Sequence, residues 1–443
     1  MAKSKASRAA GGAGRHLLAV AVVAALAPAP AHAWRLGWFV ELGVEWNDNV
    51  QLSETDPVEE TILRPALGFT LSQEGAVVQA QVAGLLEHRS YVDDTYGSEF
   101  LAEVEGSVNV VVVPERLHFT VQDRLSVLPI TQAAPDAPDN RQQTNVFSAG
   151  PTLFFRLSPT LRGQAELRWI DSYAEETLGF DSQRIGAAAR LFKDIGPTRT
   201  LSFNLQAQDV DLDDNALGPD YQRLDAFSRY TQMLNRFELE LDLGYSWYQP
   251  DVGNDRTSPL LRGLVGWRAT ERSRFDVVVR RQYSDTAEAL IGEVGGDGTV
   301  PSLPPIVIVG GETVDSATYE ETSVEFGYGY DGVRGDFGVR PYWRDLDYVD
   351  DIGPDQTGHG VLATASWLLR PTWMLTGDAR YERLDFDFTN VETTTRLGSI
   401  WLRNAFTPHW SGRLGFSRYE RDSDEAGQSA DQNIVYLAVT YTR

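Results

Sequence analysis

Residues 237–247 constrain the fold of this chain more than any other stretch. Their odd positions carry Phe, Leu, Leu, Leu, Tyr and Trp, whereas their even positions carry acidic or small side chains. Because successive side chains of a strand point to opposite faces, this stretch predicts a strand with one apolar and one acidic face. Its length is also about what a tilted strand needs to cross a bilayer. The same alternation recurs along the chain, which predicts a transmembrane β-barrel.

The amino terminus has the features of an export signal. A basic segment precedes a short apolar core at 17–26, and Ala31-His32-Ala33 matches a cleavage site. The core is too short to span a bilayer comfortably as a helix. The sequence therefore predicts a cleaved signal peptide at residues 1–33 and a single barrel domain at residues 34–443.

Short turns and long Asp-, Gly- and Pro-rich loops alternate along the rest of the chain. Nine short turns are predicted near residues 73–75, 114–115, 158–159, 196–197, 235–236, 271–272, 334–335, 371–372 and 408–409. Short periplasmic turns and longer external loops are typical of outer-membrane barrels. The predicted fold is all-β, a transmembrane antiparallel up-and-down β-barrel of about 20 strands, with 18 to 22 compatible. The predicted location is the outer membrane of a Gram-negative bacterium.

Strand alternation also predicts which side chains face the lumen. In residues 161–169 the even positions are polar and face inward, and the odd ones are apolar or small. In residues 78–86 the even positions are apolar or small and face outward, whereas Gln79 and Gln81 face inward. The candidate lumen-lining residues are Arg162, Arg168, Glu166, Glu238, Glu240, Asp242, Arg262, Arg268, Arg340, Arg344, Asp378 and Arg380. The arginines could guide an anionic polymer, because guanidinium groups bind carboxylates and phosphates in a bidentate manner. Alternatively, they pair with lumen carboxylates and brace the wall.

Composition and motifs exclude several classes of function. The formal net charge of −24 argues against nucleic-acid binding, which needs a basic surface. The chain has no cysteine, which excludes disulfides and thiolate metal sites. None of the histidines outside the signal lies in a metal-binding spacing, and no nucleophile, histidine and acid can be grouped into a triad. The sequence therefore predicts no enzyme, no cofactor and no metal site.

Soluble β folds are the main alternative for the architecture. Propellers, sandwiches and β-solenoids use strands of about 5–6 residues, whereas the alternating segments of this chain run to 11–17 residues. The long two-faced segments favour the membrane barrel.

Two segments near the start of the predicted barrel carry a resemblance to a known family. Residues 41–52 contain Asn47-Asp48-Asn49 at the end of the first strand, and residues 62–71 contain Pro65-x-Leu67-Gly68. These segments resemble the opening strands of a family of outer-membrane β-barrels associated with exopolysaccharide loci and the PEP-CTERM sorting system. The resemblance implies an envelope location and a polysaccharide role. The chain departs from barrels of this kind at its end, where Arg443 replaces the usual aromatic residue.

The combined prediction is a passive channel or secretion-associated pore linked to exopolysaccharide export. The expected partners are outer-membrane lipid and lipopolysaccharide, anionic polysaccharide and the barrel-assembly machinery. The alternative is a non-conducting structural or surface-binding barrel whose acidic loops bind cations. The longest loop, at residues 292–316, either folds inward as a gate or lies outside as a flap.

Overall fold

The computed structural model describes residues 34–131, 134–135, 137–213, 219–292, 318–349, 355–387 and 390–443. Within them the chain forms one antiparallel sheet of twenty strands. The strands are β1 Arg35–Asn47, β2 Glu60–Glu74, β3 Val78–Tyr91, β4 Glu99–Val113, β5 Leu117–Pro129, β6 Arg141–Ser158, β7 Leu161–Ala174, β8 Ser182–Gly196, β9 Arg199–Leu212, β10 Tyr221–Met233, β11 Phe237–Pro250, β12 Arg256–Arg268, β13 Ser273–Ser284, β14 Tyr319–Asp331, β15 Gly335–Tyr348, β16 Gln356–Arg370, β17 Trp373–Phe386, β18 Val391–Ala405, β19 Trp410–Ser423 and β20 Ala430–Thr442. The predicted all-β barrel of about 20 strands is confirmed. The predicted signal peptide lies outside the described residues, as does nearly all of the 292–316 loop.

The sheet closes because β1 pairs with both β2 and β20. At this seam the Trp38 N–H donates to the Arg443 carbonyl at 3.0 Å, and the Arg443 N–H donates to the Trp38 carbonyl at 2.9 Å. The terminal arginine therefore extends the closing ladder despite not being aromatic. Closure satisfies the backbone groups of the edge strands, which is the condition for a β-structure in lipid. The nine predicted short turns all fall between paired strands.

The two faces of the wall differ as the alternation predicts. On β20, Val435, Leu437 and Val439 are exposed on the outer face, whereas Ile434 and Tyr436 are buried on the inner face. Large apolar side chains are exposed in the same way on the outer face around the barrel. Exposed tryptophans stand at both ends of the outer wall, as in the aromatic girdles of membrane barrels. They include Trp267, Trp367 and Trp410 near the turns and Trp46, Trp169, Trp247 and Trp343 toward the loops. This surface suits lipid, and the protein is an outer-membrane barrel of a Gram-negative bacterium.

Three short helices accompany the described strands. Two are 3-10 turns, at Pro138–Asn140 and Leu178–Phe180, and the third is the α-helix α1, Thr286–Gly292, which follows β13. No helix in the described part of the chain is long and apolar enough to cross a membrane. Asp285 caps α1, because its Oδ1 accepts the Glu288 backbone N–H at 3.0 Å.

Candidate functional site

The twelve residues predicted to line the lumen lie at inner-face positions of β7, β11, β12, β15 and β17. The register brings some of them together. Arg168 Nε lies 3.4 Å from Glu166 on the same strand, and Arg262 on β12 lies 3.8 Å from Asp242 on the neighbouring strand. Arg268 lies exposed at the turn end of β12.

Most of the inner arginines are paired with carboxylates outside the predicted set. Arg340 contacts Asp276 at 3.3 Å and Glu325 at 3.2 Å, whereas Arg344 and Arg380 share Glu382. These pairs connect β15 with β13, β14 and β17, and so brace the wall. The geometry therefore favours the bracing interpretation over a ladder of free guanidinium groups.

The inner wall divides into two zones along the barrel axis. Near the turns, the side chains of Arg162 and Arg274 are each 55% exposed, so the periplasmic half of the lumen is open to water. Toward the loops, Arg64 and Glu45 are 3% exposed and Glu382 is 5% exposed. The extracellular half of the lumen wall is thus buried.

A charge network occupies this buried zone where β1, β2 and β3 meet. The guanidinium group of Arg64 donates to both carboxylate oxygens of Glu87, at 3.1 and 2.9 Å, and to Glu45 at 2.5 Å. Arg89 donates to Glu87 at 2.7 Å, and the Tyr436 ring lies 5.0 Å from the Arg64 guanidinium carbon. Buried charges in such numbers are tolerated because each is paired and hydrogen-bonded.

The loop ends of β5 and β6 contribute to the burial. The ladder between β4 and β5 extends toward the loops only as far as Val104 and Leu125. Beyond that point Val127 packs against Ala66 and Leu85 of the inner wall. Leu128, on the opposite face of β5, is also buried. This end of the hairpin therefore leans into the lumen and is covered on both faces.

The helix α1 packs against the face of this hairpin that carries Leu128. Its Ala287 and Leu290 join an apolar cluster with Leu128 of β5, Val146 of β6 and Phe180. We refer to residues 125–129 and 141–146 together with α1 as the inner plug. The plug places a helix that follows β13 against strands on another part of the wall.

Two buried arginines fix α1 to the wall. Arg184 Nη1 on β8 lies 2.6 Å from Asp285 Oδ2, and both side chains are almost fully buried. The Tyr221 hydroxyl donates to the same oxygen at 3.3 Å. Arg223 on β10 donates to Glu288 Oε1 at 2.8 Å and to the Tyr283 carbonyl at 3.3 Å. We call these two ion pairs, Arg184–Asp285 and Arg223–Glu288, the helix latch.

Asp285 is charged when the latch is closed. Burial by itself raises the pKa of a carboxyl group. The guanidinium of Arg184 and the Glu288 backbone N–H nevertheless hold the pKa of Asp285 below its ordinary value. The latch is therefore a full ion pair at neutral pH.

Sequence reasoning did not identify the latch residues. Arg184 and Arg223 look like any other inward arginine in an alternating strand. One signal was present, since Asp285 and Glu288 have the spacing of a helix-capping pair in a loop that otherwise has the composition of a turn.

Within the described part of the chain, no group of three or more histidine or acidic side chains is arranged to hold a metal ion.

Comparisons with known proteins give likeness at the level of architecture. No family model matches the chain, and no curated protein matches it. The FrpB iron transporter of Neisseria meningitidis (F5-1 variant) is similar with 9% identity and a TM-score of 0.48, over 92% of this chain and 82% of that one. The siderophore receptor PirA of Pseudomonas aeruginosa is similar with 11% identity and a TM-score of 0.46, over 94% and 81%. The outer-membrane protein OpdK of the same organism gives 12% identity and a TM-score of 0.38, over 93% and 98%. Likeness at this level says nothing about what this chain carries or binds.

Proposed function

We propose that this barrel is an outer-membrane transport channel that the inner plug holds closed and that opens when α1 leaves the wall. The observation that supports this proposal is the helix latch, in which Arg184 and Arg223 fix a helix inside the lumen. Below the latch, charged side chains of the periplasmic half are accessible to water. An aqueous chamber that ends at a docked helix is the arrangement expected of a closed channel.

The helix is suited to release. Seven residues are too few for a helix to persist alone in water, so α1 depends on its contacts with the wall. Removing one partner of a buried ion pair is strongly destabilising because it leaves an uncompensated charge. A change at either arginine therefore shifts the balance between the docked and released helix.

The cargo we propose is the one implied by the family resemblance, an exopolysaccharide on its way out of the cell. The pairing of the inner arginines with carboxylates does not add to this choice, because paired guanidinium groups offer little free positive charge. Anionic polysaccharide added to the periplasmic side of an opened channel is expected to block its current.

A second function is favoured by one observation, the burial of the extracellular lumen wall. A barrel that never opens would act as a structural or surface-binding protein, with its acidic loops presented to cations outside. The same measurement separates the two functions, because a structural barrel gives no current in any variant.

The experiment is single-channel recording of the refolded protein and its Arg184→Gln variant in planar bilayers. We expect rare openings in the wild type and an open probability at least about tenfold higher in the variant, since a broken buried pair costs more than the 1.4 kcal/mol that corresponds to tenfold. Arg281→Gln is the matched control. Arg281 pairs with Glu320 at a distance of 2.5 Å, and neither residue belongs to α1 or to the latch. The absence of any current in both variants, when the barrels are correctly folded, contradicts the channel proposal.

A further inference from the structure

A cavity of about 390 Å³ lies beside α1 against the inner face of β7–β10. It is within the size range of small-molecule sites in proteins. Glu288 of α1 lines it on one side, and Gln122 of β5 and Ser148 of β6 line it on another. The cavity is therefore bounded by the inner plug as well as by the wall.

The strand register arranges the wall of the cavity as two rows of side chains. Across β7, β8, β9 and β10, the row nearer the loops is Arg168, Gly186, Gln208 and Arg223. The next row toward the turns is Glu166, Ala188, Gln206 and Asp225. Both rows have a charged side chain at each end, a small residue on β8 and an amide on β9. The charged ends are three strand spacings apart, roughly 14 Å.

The β7–β8 end of the cavity carries an excess of positive charge. Arg168 Nε lies 3.4 Å from Glu166, and Arg190 on β8 donates to the same carboxylate at 2.8 Å. One negative charge is thus shared by two guanidinium groups that both line the cavity. Such a pair favours a ligand carboxylate, which guanidinium groups bind through charge-assisted hydrogen bonds.

The β10 end of the cavity carries an excess of negative charge. Arg223 lies 3.5 Å from Asp225 and 2.8 Å from Glu288, so two carboxylates share one guanidinium. Asp225 is 3% exposed, and its Oδ1 is buried without a hydrogen-bond donor in the described structure. A buried acceptor without a donor is costly, and a ligand hydroxyl would satisfy it once the Asp225 side chain turns toward the cavity that it lines.

We propose that this cavity binds a small carboxylate that carries several hydroxyl groups. Its carboxylate would lie between Arg168 and Arg190, and its far hydroxyl group would donate to Asp225. The amides of Gln206 and Gln208 both donate and accept, which suits the hydroxyl groups between these ends. Gly186 and Ala188 leave the room that the chain of the ligand occupies. The role of such a ligand in transport rests on the proposed channel function, but its binding does not.

Isothermal titration of the full refolded protein in detergent tests the proposal with three six-carbon probes. Gluconate carries both the carboxylate and the hydroxyl groups, sorbitol has only the hydroxyl groups, and hexanoate has only the carboxylate. We expect gluconate to bind about tenfold more tightly than either of the others, which corresponds to one additional charge-assisted interaction. Equal affinity for all three probes, or no heat with gluconate, overturns the assignment.

Two neighbouring alanines of β8 give a matched pair of variants. Ala188→Leu fills the cavity from the inner face, whereas Ala189→Leu places the same side chain on the outer face, where Ala189 is exposed. Gluconate binding should weaken at least about tenfold in the first and stay within about twofold in the second. Gln206→Met, which nearly keeps the shape of the side chain, provides a second test if Ala188→Leu does not fold. Unchanged affinity in a folded cavity variant overturns the site. Because titration needs no current, its failure and the failure of the channel proposal are distinguishable.

Discussion

Arg184 on β8 and Asp285 behind β13 form an ion pair of 2.6 Å although they are 101 residues apart in the chain. Their side chains are 1% and 0% exposed. The pair connects the segment that leads into α1 to a strand of the wall five positions earlier in the sheet. This contact fixes the segment that follows β13 against the inner wall of the barrel.

The pH dependence of the latch follows from the lowered pKa of Asp285. A carboxyl group whose pKa is lower in the docked than in the released state stabilises docking above the released value, about 3.9 for an ordinary Asp. This contribution is lost as pH falls through the docked value. We therefore expect the closed state to persist at pH 5 to 7 and openings to increase only below about pH 4. Recordings at stepped pH check this, and openings that begin between pH 6 and 5 contradict it.

Replacement of Arg64 by Leu is expected to destabilise the barrel strongly. The change leaves the buried carboxylates of Glu45 and Glu87 without their shared guanidinium. Loss of one partner in such a network costs about 3–5 kcal/mol. Urea titration of the protein in lipid vesicles measures the loss. Arg281→Leu is the control, because its half-exposed pair contributes within about 1 kcal/mol, and equal losses in the two variants contradict the account.

The assignment of faces predicts opposite results for two adjacent residues of β18. Ile400 is exposed on the outer face, and Ser399 lies opposite Asp378 on the inner face. Ile400→Arg should lower the free energy of unfolding by about 2–4 kcal/mol, the cost of a charge facing the bilayer centre. Ser399→Arg should be tolerated, because the new guanidinium group reaches the Asp378 carboxylate. Urea titration compares them, and a greater loss for Ser399→Arg would show that the faces are reversed.

Gly43 permits a close contact at the seam between β1 and β20. A Cβ atom at this position would clash with the Tyr436 hydroxyl. That hydroxyl donates to Glu41 at 2.9 Å. Gly43→Ala is therefore expected to cost roughly 1–3 kcal/mol, as overpacking does elsewhere. Gly398→Ala, which has open space around it, should cost less, and the same urea titration checks both.

Much of the fold could be predicted from the sequence because each strand carries its own signal. Alternation identifies the two faces of β11 without any knowledge of its partners, and the nine turn signals predict a barrel of about 20 strands. At the end of β5, alternation does not identify which face is buried, because Val127 and Leu128 are consecutive apolar residues. The structure gives the reason, since both faces of this end are covered.

The candidate site could be predicted only in part. The alternation places Arg168 and Glu166 on the inner wall but does not say which inner carboxylate each arginine meets. The latch depends on a fold of the chain that brings Asp285 to Arg184, and no local pattern encodes such a contact. The cavity depends on small residues such as Ala188, which carry no chemical signal of their own.

The central claim, that α1 closes the lumen by docking on the hairpin of β5 and β6, can be tested directly with a reversible crosslink. The chain has no cysteine, so Val146→Cys and Ala287→Cys introduce a unique pair within the apolar cluster that joins β6 to α1. A short cleavable thiol crosslinker is applied to this pair in the Arg184→Gln background, and single-channel current is recorded before and after reduction. The account predicts a crosslinked barrel that stays closed and opens on reduction. Current that is the same before and after reduction would contradict it.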